Sequence, residues 1–156
     1  MPVDHLEQLK LEASEQLLRL TNKMLWGRKH PRDYGTGELL YMSEVEVIIE
    51  VGQHPEINLT ELSEILGVTK ATLSPIVNKL EKKAYLSKRQ TLENAKVKRL
   101  VLKAKGRKAL EGLAAYGAKL QEYMDDVTER ELKSYMRLLG KVEMFVDDVD
   151  HEIRKK

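Results

Sequence analysis

The sequence predicts a mainly α-helical fold with one small β-hairpin, and three observations carry that expectation. Aliphatic residues recur at helical spacing over long stretches at both chain ends. Two short helical patterns meet at Gly67-Val68-Thr69, and two strand-like runs follow them directly. A chain of 156 residues suits one compact domain, or a small module with helical extensions. Only 5% of it is aromatic, so Leu, Val, Ile and Ala must build the core.

Leu6, Leu9, Ala13, Leu17, Leu20 and Met24 form one stripe of an amphipathic helix ending near Arg28, before His30-Pro31. Leu11, Leu18 and Leu25 form a second stripe, which suits burial on two sides, a second subunit being one candidate cover. Tyr34-Gly35-Thr36-Gly37 reads as a loop. It begins like a dinucleotide-binding turn, but Leu40 stands where the third glycine belongs and no strand pattern precedes it, so that reading is discarded.

Ser43-Glu44-Val45-Glu46 reads as a capping box for a helix to about Val51, ended by Gly52 and Pro55. Asn58 or Thr60 caps the next helix, which Gly67 stops. Thr69 caps a further helix from Lys70 to about Lys83, with Leu73, Ile76, Val77 and Leu80 on its apolar face. A turn this short forces the two helices to cross steeply, over an expected core of Leu62, Ile65, Leu66, Leu73 and Val77. The outer face of the second helix carries Lys70, Thr72, Ser74, Asn78 and Lys79, side chains suited to base edges and phosphates.

The strand-like runs are Tyr85 to Thr91 and Lys96 to Leu102, joined by Leu92-Glu93-Asn94-Ala95. They place Lys88, Arg89, Lys96, Lys98 and Arg99 on a basic hairpin, suited to phosphates or the minor groove. Helix, turn, helix and basic hairpin together make a winged helix-turn-helix. Two long helices close the chain. Leu110, Leu113, Ala114, Gly117, Leu120, Met124 and Val127 mark the first. Thr128-Glu129-Arg130-Glu131 caps the second, marked by Leu132, Met136, Leu139, Val142, Val146, Val149 and Ile153. The expected organisation is a dimerisation helix over 1–33, a DNA-binding lobe over 34–102 and dimerisation helices over 103–156.

The net charge of +2 hides a strong asymmetry. Residues 69–110 hold 13 Lys or Arg against 2 acidic residues, whereas the segments before and after carry −6 and −3. That distribution is the footprint of a polyanion partner. A solvated basic face without a partner is the alternative that charge alone leaves open.

An enzyme is not expected. The chain has no cysteine, which excludes disulfides, cysteine-ligated metals and thiol redox chemistry. His5, His30, His54 and His151 are scattered without metal-ligand spacing, and Asp147 to Glu152 reads as a solvated helix end. No nucleophile elbow or phosphate-binding loop is present, so no catalytic residue, metal or cofactor is assigned. The N-terminus lacks an apolar signal core and no apolar run reaches membrane-spanning length, so a cytoplasmic location is expected.

Over nearly its full length the chain resembles the MarR family of transcriptional regulators. The resemblance lies in Leu59 to Ser74 (LTELSEILGVTKATLS), Val77 to Lys83 (VNKLEKK) and Leu102 to Gly106 (LKAKG). It implies six helices and a wing, a homodimer through the terminal helices, a pseudo-palindromic double-stranded DNA operator, and a repressor released by a small aromatic or apolar effector. Trp26, Tyr34, Tyr41 and Met42 lie near where the family's effector pocket would be, although buried core aromatics would look the same. Three residues or motifs depart from the family pattern. Asn94-Ala95-Lys96 replaces the usual Asp-x-Arg at the wing tip, Ala84 replaces a usual Gly, and Pro75 sits inside the second helix of the pair, where a local kink is expected. A helix-turn-helix used for protein contacts, without specific DNA binding, is the competing function.

Overall fold

The computed structural model describes residues 4–90 and 97–154. It divides into two compact units, one up to Ala115 and one from Tyr116 onwards.

In the first unit α1 (His5–Arg28) is capped by Asp4, whose carboxylate accepts from the Leu6 N–H at 3.4 Å. No residue of α1 is buried. Where the sequence suggested only a loop, β1 (Arg32–Asp33) and β2 (Leu39–Leu40) pair antiparallel. Strands two residues long carry no readable alternation. Their turn is set instead by Asp33, whose Oδ1 accepts from the N–H groups of Thr36 at 2.9 Å and Gly37 at 3.0 Å.

The next helix, α2 (Met42–Gln53), starts before Ser43, so Ser43 is not its cap. Tyr41 is the N-cap residue, and the Glu44 carboxylate reaches back to its N–H at 2.8 Å. A tyrosine side chain is too long to return to its own first turn, so the Glu44 half of the box does the capping.

Asn58 caps α3 (Leu59–Leu66) in a full capping box. Its Oδ1 accepts from the Thr60 and Glu61 N–H groups, while Glu61 accepts from the Asn58 N–H. Gly67 ends the helix at φ 63°, a left-handed conformation that suits glycine. Thr69 caps α4 (Lys70–Lys82), which continues through Pro75. The wing is β3 (Leu86–Gln90) paired antiparallel with β4 (Lys98–Leu102), Leu86 opposite Leu102 and Lys88 opposite Leu100. Thr91 to Lys96, which includes the Asn94-Ala95-Lys96 departure, lies outside the described residues.

The core of this unit joins α2, α3, α4 and the wing. Val47, Ile48, Leu62, Leu73, Leu80 and Tyr85 are among its fully buried side chains. Burying one such residue is worth about 1.5–3 kcal/mol, so this cluster holds the lobe together. Leu66 packs at its edge. Ile65, expected in this core, is 49% exposed: the buried face of α3 runs through Leu62 and Ser63, leaving Ile65 outside. The lobe is closed by α5 (Ala104–Glu122) through two glycines. A Cβ on Gly106 would meet the Tyr85 carbonyl, and one on Gly112 the Tyr34 carbonyl.

The second unit comprises the end of α5 and α6 (Glu129–Arg154). The expected capping box is present. Thr128 and Glu131 exchange bonds, and the Thr128 hydroxyl holds the Glu131 carboxyl below its usual range. Along α6, Tyr135, Met136, Leu138, Met144, Phe145 and Ile153 are all at least half exposed. No helix among the described residues is long and apolar enough to cross a membrane.

Candidate nucleic-acid interface

Local rules place the recognition-type helix. Gly67 breaks α3, and the Thr69 hydroxyl accepts from the Thr72 N–H at 3.2 Å, so α4 starts after the three-residue turn Gly67-Val68-Thr69. The apolar face of α4, Leu73, Val77 and Leu80, is buried against the lobe. That burial turns Lys70, Thr72 and Asn78 outward as exposed residues, with Ser74 half-buried beside them.

The wing joins this surface at its root. Leu100 donates its N–H to the Ile57 carbonyl at 2.8 Å, and Asn58 bridges Arg99, so the segment before α3 adds to the hairpin edge. Ser74, Asn78, Lys88 and Lys98 converge on one small cavity of about 180 Å³, floored by Leu59, Val77 and Leu100. Helix and wing therefore share one surface, with polar side chains set around apolar ones.

The structure sorts the basic residues into two groups. Lys70, Arg89 and Lys98 are exposed and make no ion pair among the described residues. Several others are held by carboxylates. Lys79 Nζ lies 2.8 Å from Oε1 of the buried Glu44, a Coulombic contact rather than a well-directed hydrogen bond, and 5.6 Å from the centre of the Tyr41 ring. Lys88 pairs with Glu81 at 3.0 Å and donates to Asn78 Oδ1. Arg99 reaches Glu61 and the Glu56 carbonyl, both at 3.2 Å, which draws its guanidinium away from Arg89 directly opposite on β3. Lys96 lies outside the described residues.

At the C-terminal end of α4, Glu38 binds Lys105 and, at 3.3 Å, Lys83. Lys105 also lies 4.6 Å from the centre of the Tyr85 ring, and the Tyr85 hydroxyl meets Thr36 Oγ1 at 2.8 Å. The Lys105 bond, joined by Lys83, holds the Glu38 carboxyl below its usual range against the opposing effect of desolvation. The Lys88 ammonium does the same for Glu81. These carboxylates were missed in the sequence because each partner is distant along the chain or hidden within the basic tract. Only Glu81, three residues after Asn78 on the same helix face, left a local signal.

The four candidate effector residues have different surroundings. Tyr34 is buried in the core and Met42 packs against it. Tyr41 sits exposed at the start of α2, and Trp26 is exposed on α1, stacked on His30 with ring centres 3.8 Å apart. The described residues contain no cluster of metal-ligating side chains.

Residues 40–98 match the model of the MarR family. An HTH-type transcriptional regulator of Bacillus subtilis (strain 168), YhjH, is 31% identical over 115 residues, covering 71% of this chain. The chain spans 66% of that relative's length. Among solved structures, Streptococcus pneumoniae FabT in complex with DNA superposes with a TM-score of 0.72 at 21% identity, covering 90% of this chain and 99% of FabT. YusO of Bacillus subtilis superposes with a TM-score of 0.68 at 19% identity, covering 90% of this chain and 99% of its own. These two likenesses are likenesses of fold.

Proposed function

This chain belongs to the MarR family, and from that premise we propose that it represses transcription by binding duplex DNA as a homodimer. The observation that carries the reading is the shared surface of α4 and the wing, where Ser74, Asn78, Lys88 and Lys98 converge and Lys70 and Arg89 stay free for phosphates. Short polar side chains on a helix suit the major groove, and free cations beside them suit the backbone. The FabT structure, a protein of the same fold in complex with DNA, supports DNA as the partner.

Dimerisation supplies the second half-site. A two-fold dimer reads two half-sites about one helical turn apart, roughly 34–36 Å, which requires a pseudo-palindromic operator. The apolar side chains exposed on α1 and α6 support a dimer through the terminal helices. A small aromatic or apolar acid is the expected effector, binding the DNA-incompetent arrangement better than the competent one. Tyr41 connects such a ligand to α4, because its ring lies beside Lys79.

The test is selection of bound duplexes from a random pool, followed by anisotropy titration at several salt concentrations. The reading expects a pseudo-palindromic consensus and affinity that falls steeply with salt. Retention that ignores salt and sequence would favour a protein-contact module instead.

A further inference from the structure

We propose that Lys88 is a positioning residue for base recognition: its ammonium turns the Asn78 carboxamide so that the Nδ2 donors face the DNA. This rests on the DNA-binding reading above and adds to it the hydrogen-bonding character of the base edge that Asn78 accepts.

The argument begins with the pleat of β3. Alternation puts Lys88 on the same face as the buried Leu86, toward α4, and Arg89 on the opposite face. The side chain of Lys88 is only 22% exposed. Its backbone N–H donates to Glu81 Oε1 at 3.2 Å, and its Nζ lies 3.0 Å from Glu81 Oε2. The same Nζ donates to Asn78 Oδ1 at 2.5 Å. Asn78 and Glu81 lie three residues apart on α4, so one ammonium from the wing spans both.

An ammonium only donates, whereas a carboxamide has one accepting and one donating end. The end of Asn78 that faces Lys88 must therefore be the oxygen, and planarity sends Nδ2 the other way. Asn78 then offers two N–H donors to a base. Guanine O6 and N7, thymine O4 and adenine N7 accept them in the major groove, whereas cytosine presents an N4 donor and is rejected. Glu81 has a second effect. By pairing with the ammonium it offsets the charge that Lys88 would otherwise bring to a phosphate. Lys88 thus contributes to sequence choice rather than to general attraction.

The experiment compares wild type, Lys88→Met, Lys88→Arg and Asn78→Ala on the selected duplex, on single-base variants of it and on a scrambled duplex, across a salt series. Thermal melts of each variant confirm folding. Lys88→Met should lose about tenfold in discrimination at the pair read by Asn78, matching Asn78→Ala. Lys88→Met leaves Glu81 unpaired and so should weaken binding to the scrambled duplex as well, and adding Glu81→Gln should return that affinity toward wild type without restoring discrimination. Lys88→Arg, which keeps a donor, should restore the preference, and Lys88→Met combined with Asn78→Ala should discriminate no worse than Asn78→Ala alone. The proposal is overturned if Lys88→Met combined with Glu81→Gln weakens all duplexes alike, with discrimination intact, and lowers the salt slope by about one, the mark of a phosphate contact. It is also overturned if Lys88→Met keeps full discrimination. Absence of salt-dependent DNA binding by the wild type would remove the DNA-binding reading itself, a result separate from either of these.

Discussion

The lobe between Tyr34 and Ala109 and the helices at the two chain ends use apolar residues in opposite ways. Every buried apolar side chain among the described residues falls within that lobe. On α1, by contrast, Leu11, Leu18, Met24 and Trp26 are each more than 60% exposed, and on α6 Met136, Met144 and Phe145 are as well. The lobe closes its core within one chain. The end helices carry as clear an apolar pattern and leave it open, which suits the dimer interface proposed above. Similar periodicity in sequence thus serves two purposes, and only burial tells them apart.

The largest effect should come from breaking the open surface. If the proposed dimer forms through this surface, charged replacements at Met136 and Phe145 together, both to Glu, should convert it to monomer at micromolar concentration in sedimentation velocity. An unpaired charge forced into an apolar interface costs about 3 kcal/mol or more. The same change at Ile65, exposed on the lobe, should leave the dimer intact. Equal loss from both sites would erase the distinction between the regions.

Glycines sharpen the comparison. Gly106→Ala drives a methyl into the Tyr85 carbonyl, a backbone atom that cannot swing aside, and should destabilise the lobe by about 3 kcal/mol in urea melts. Gly140, on α6, has nothing within 4 Å of an added Cβ, so Gly140→Ala should stabilise by up to about 1 kcal/mol through helix propensity. A large loss at Gly140 would mean that a partner backbone approaches there in the dimer.

Acid offers a subtler probe of the lobe. Lys105, then Lys83, lowers the Glu38 carboxyl in the folded state, so its contribution is present above the ordinary value of 4.5 and lost as pH falls through the lowered one. Glu38→Gln should therefore lower stability at neutral pH and flatten the acid decline below 4.5 relative to wild type. Parallel declines in the two proteins would contradict the pairing. The smallest expected effect lies at Ala84, held at φ 62° just before the wing. Ala84→Gly should raise the melting temperature slightly, by relief of about 1 kcal/mol of left-handed strain less the flexibility glycine adds to the unfolded chain.

Features written in neighbouring residues were legible in advance. Asn58, Gly67, Thr69 and Thr128 each act through atoms within a few positions, so caps and stops could be read directly. Ser43 misled because Ser43 and Glu46 have the spacing of a capping box, while the working pair, Tyr41 and Glu44, has the same spacing two residues earlier. Ile65 misled because an eight-residue helix is too short for its buried stripe to be fixed by periodicity. The basic tract was legible as charge but not as disposition. Lys79, Arg99 and Lys105 meet Glu44, Glu61 and Glu38, carboxylates that folding brings from other elements. Sequence reading therefore counted as free cations several that the lobe uses as internal ties.

The most direct test of the account concerns Asn78 and Arg89, one on the outer face of α4 and one on the wing. Anisotropy titrations of both alanine variants would be run on selected and scrambled duplexes over a salt series. Asn78→Ala should cost about 1–3 kcal/mol on the selected duplex and little on the scrambled one. Arg89→Ala should weaken both duplexes alike and reduce the salt slope by about one. If Arg89→Ala abolished discrimination while Asn78→Ala left it intact, α4 would not be the reading helix.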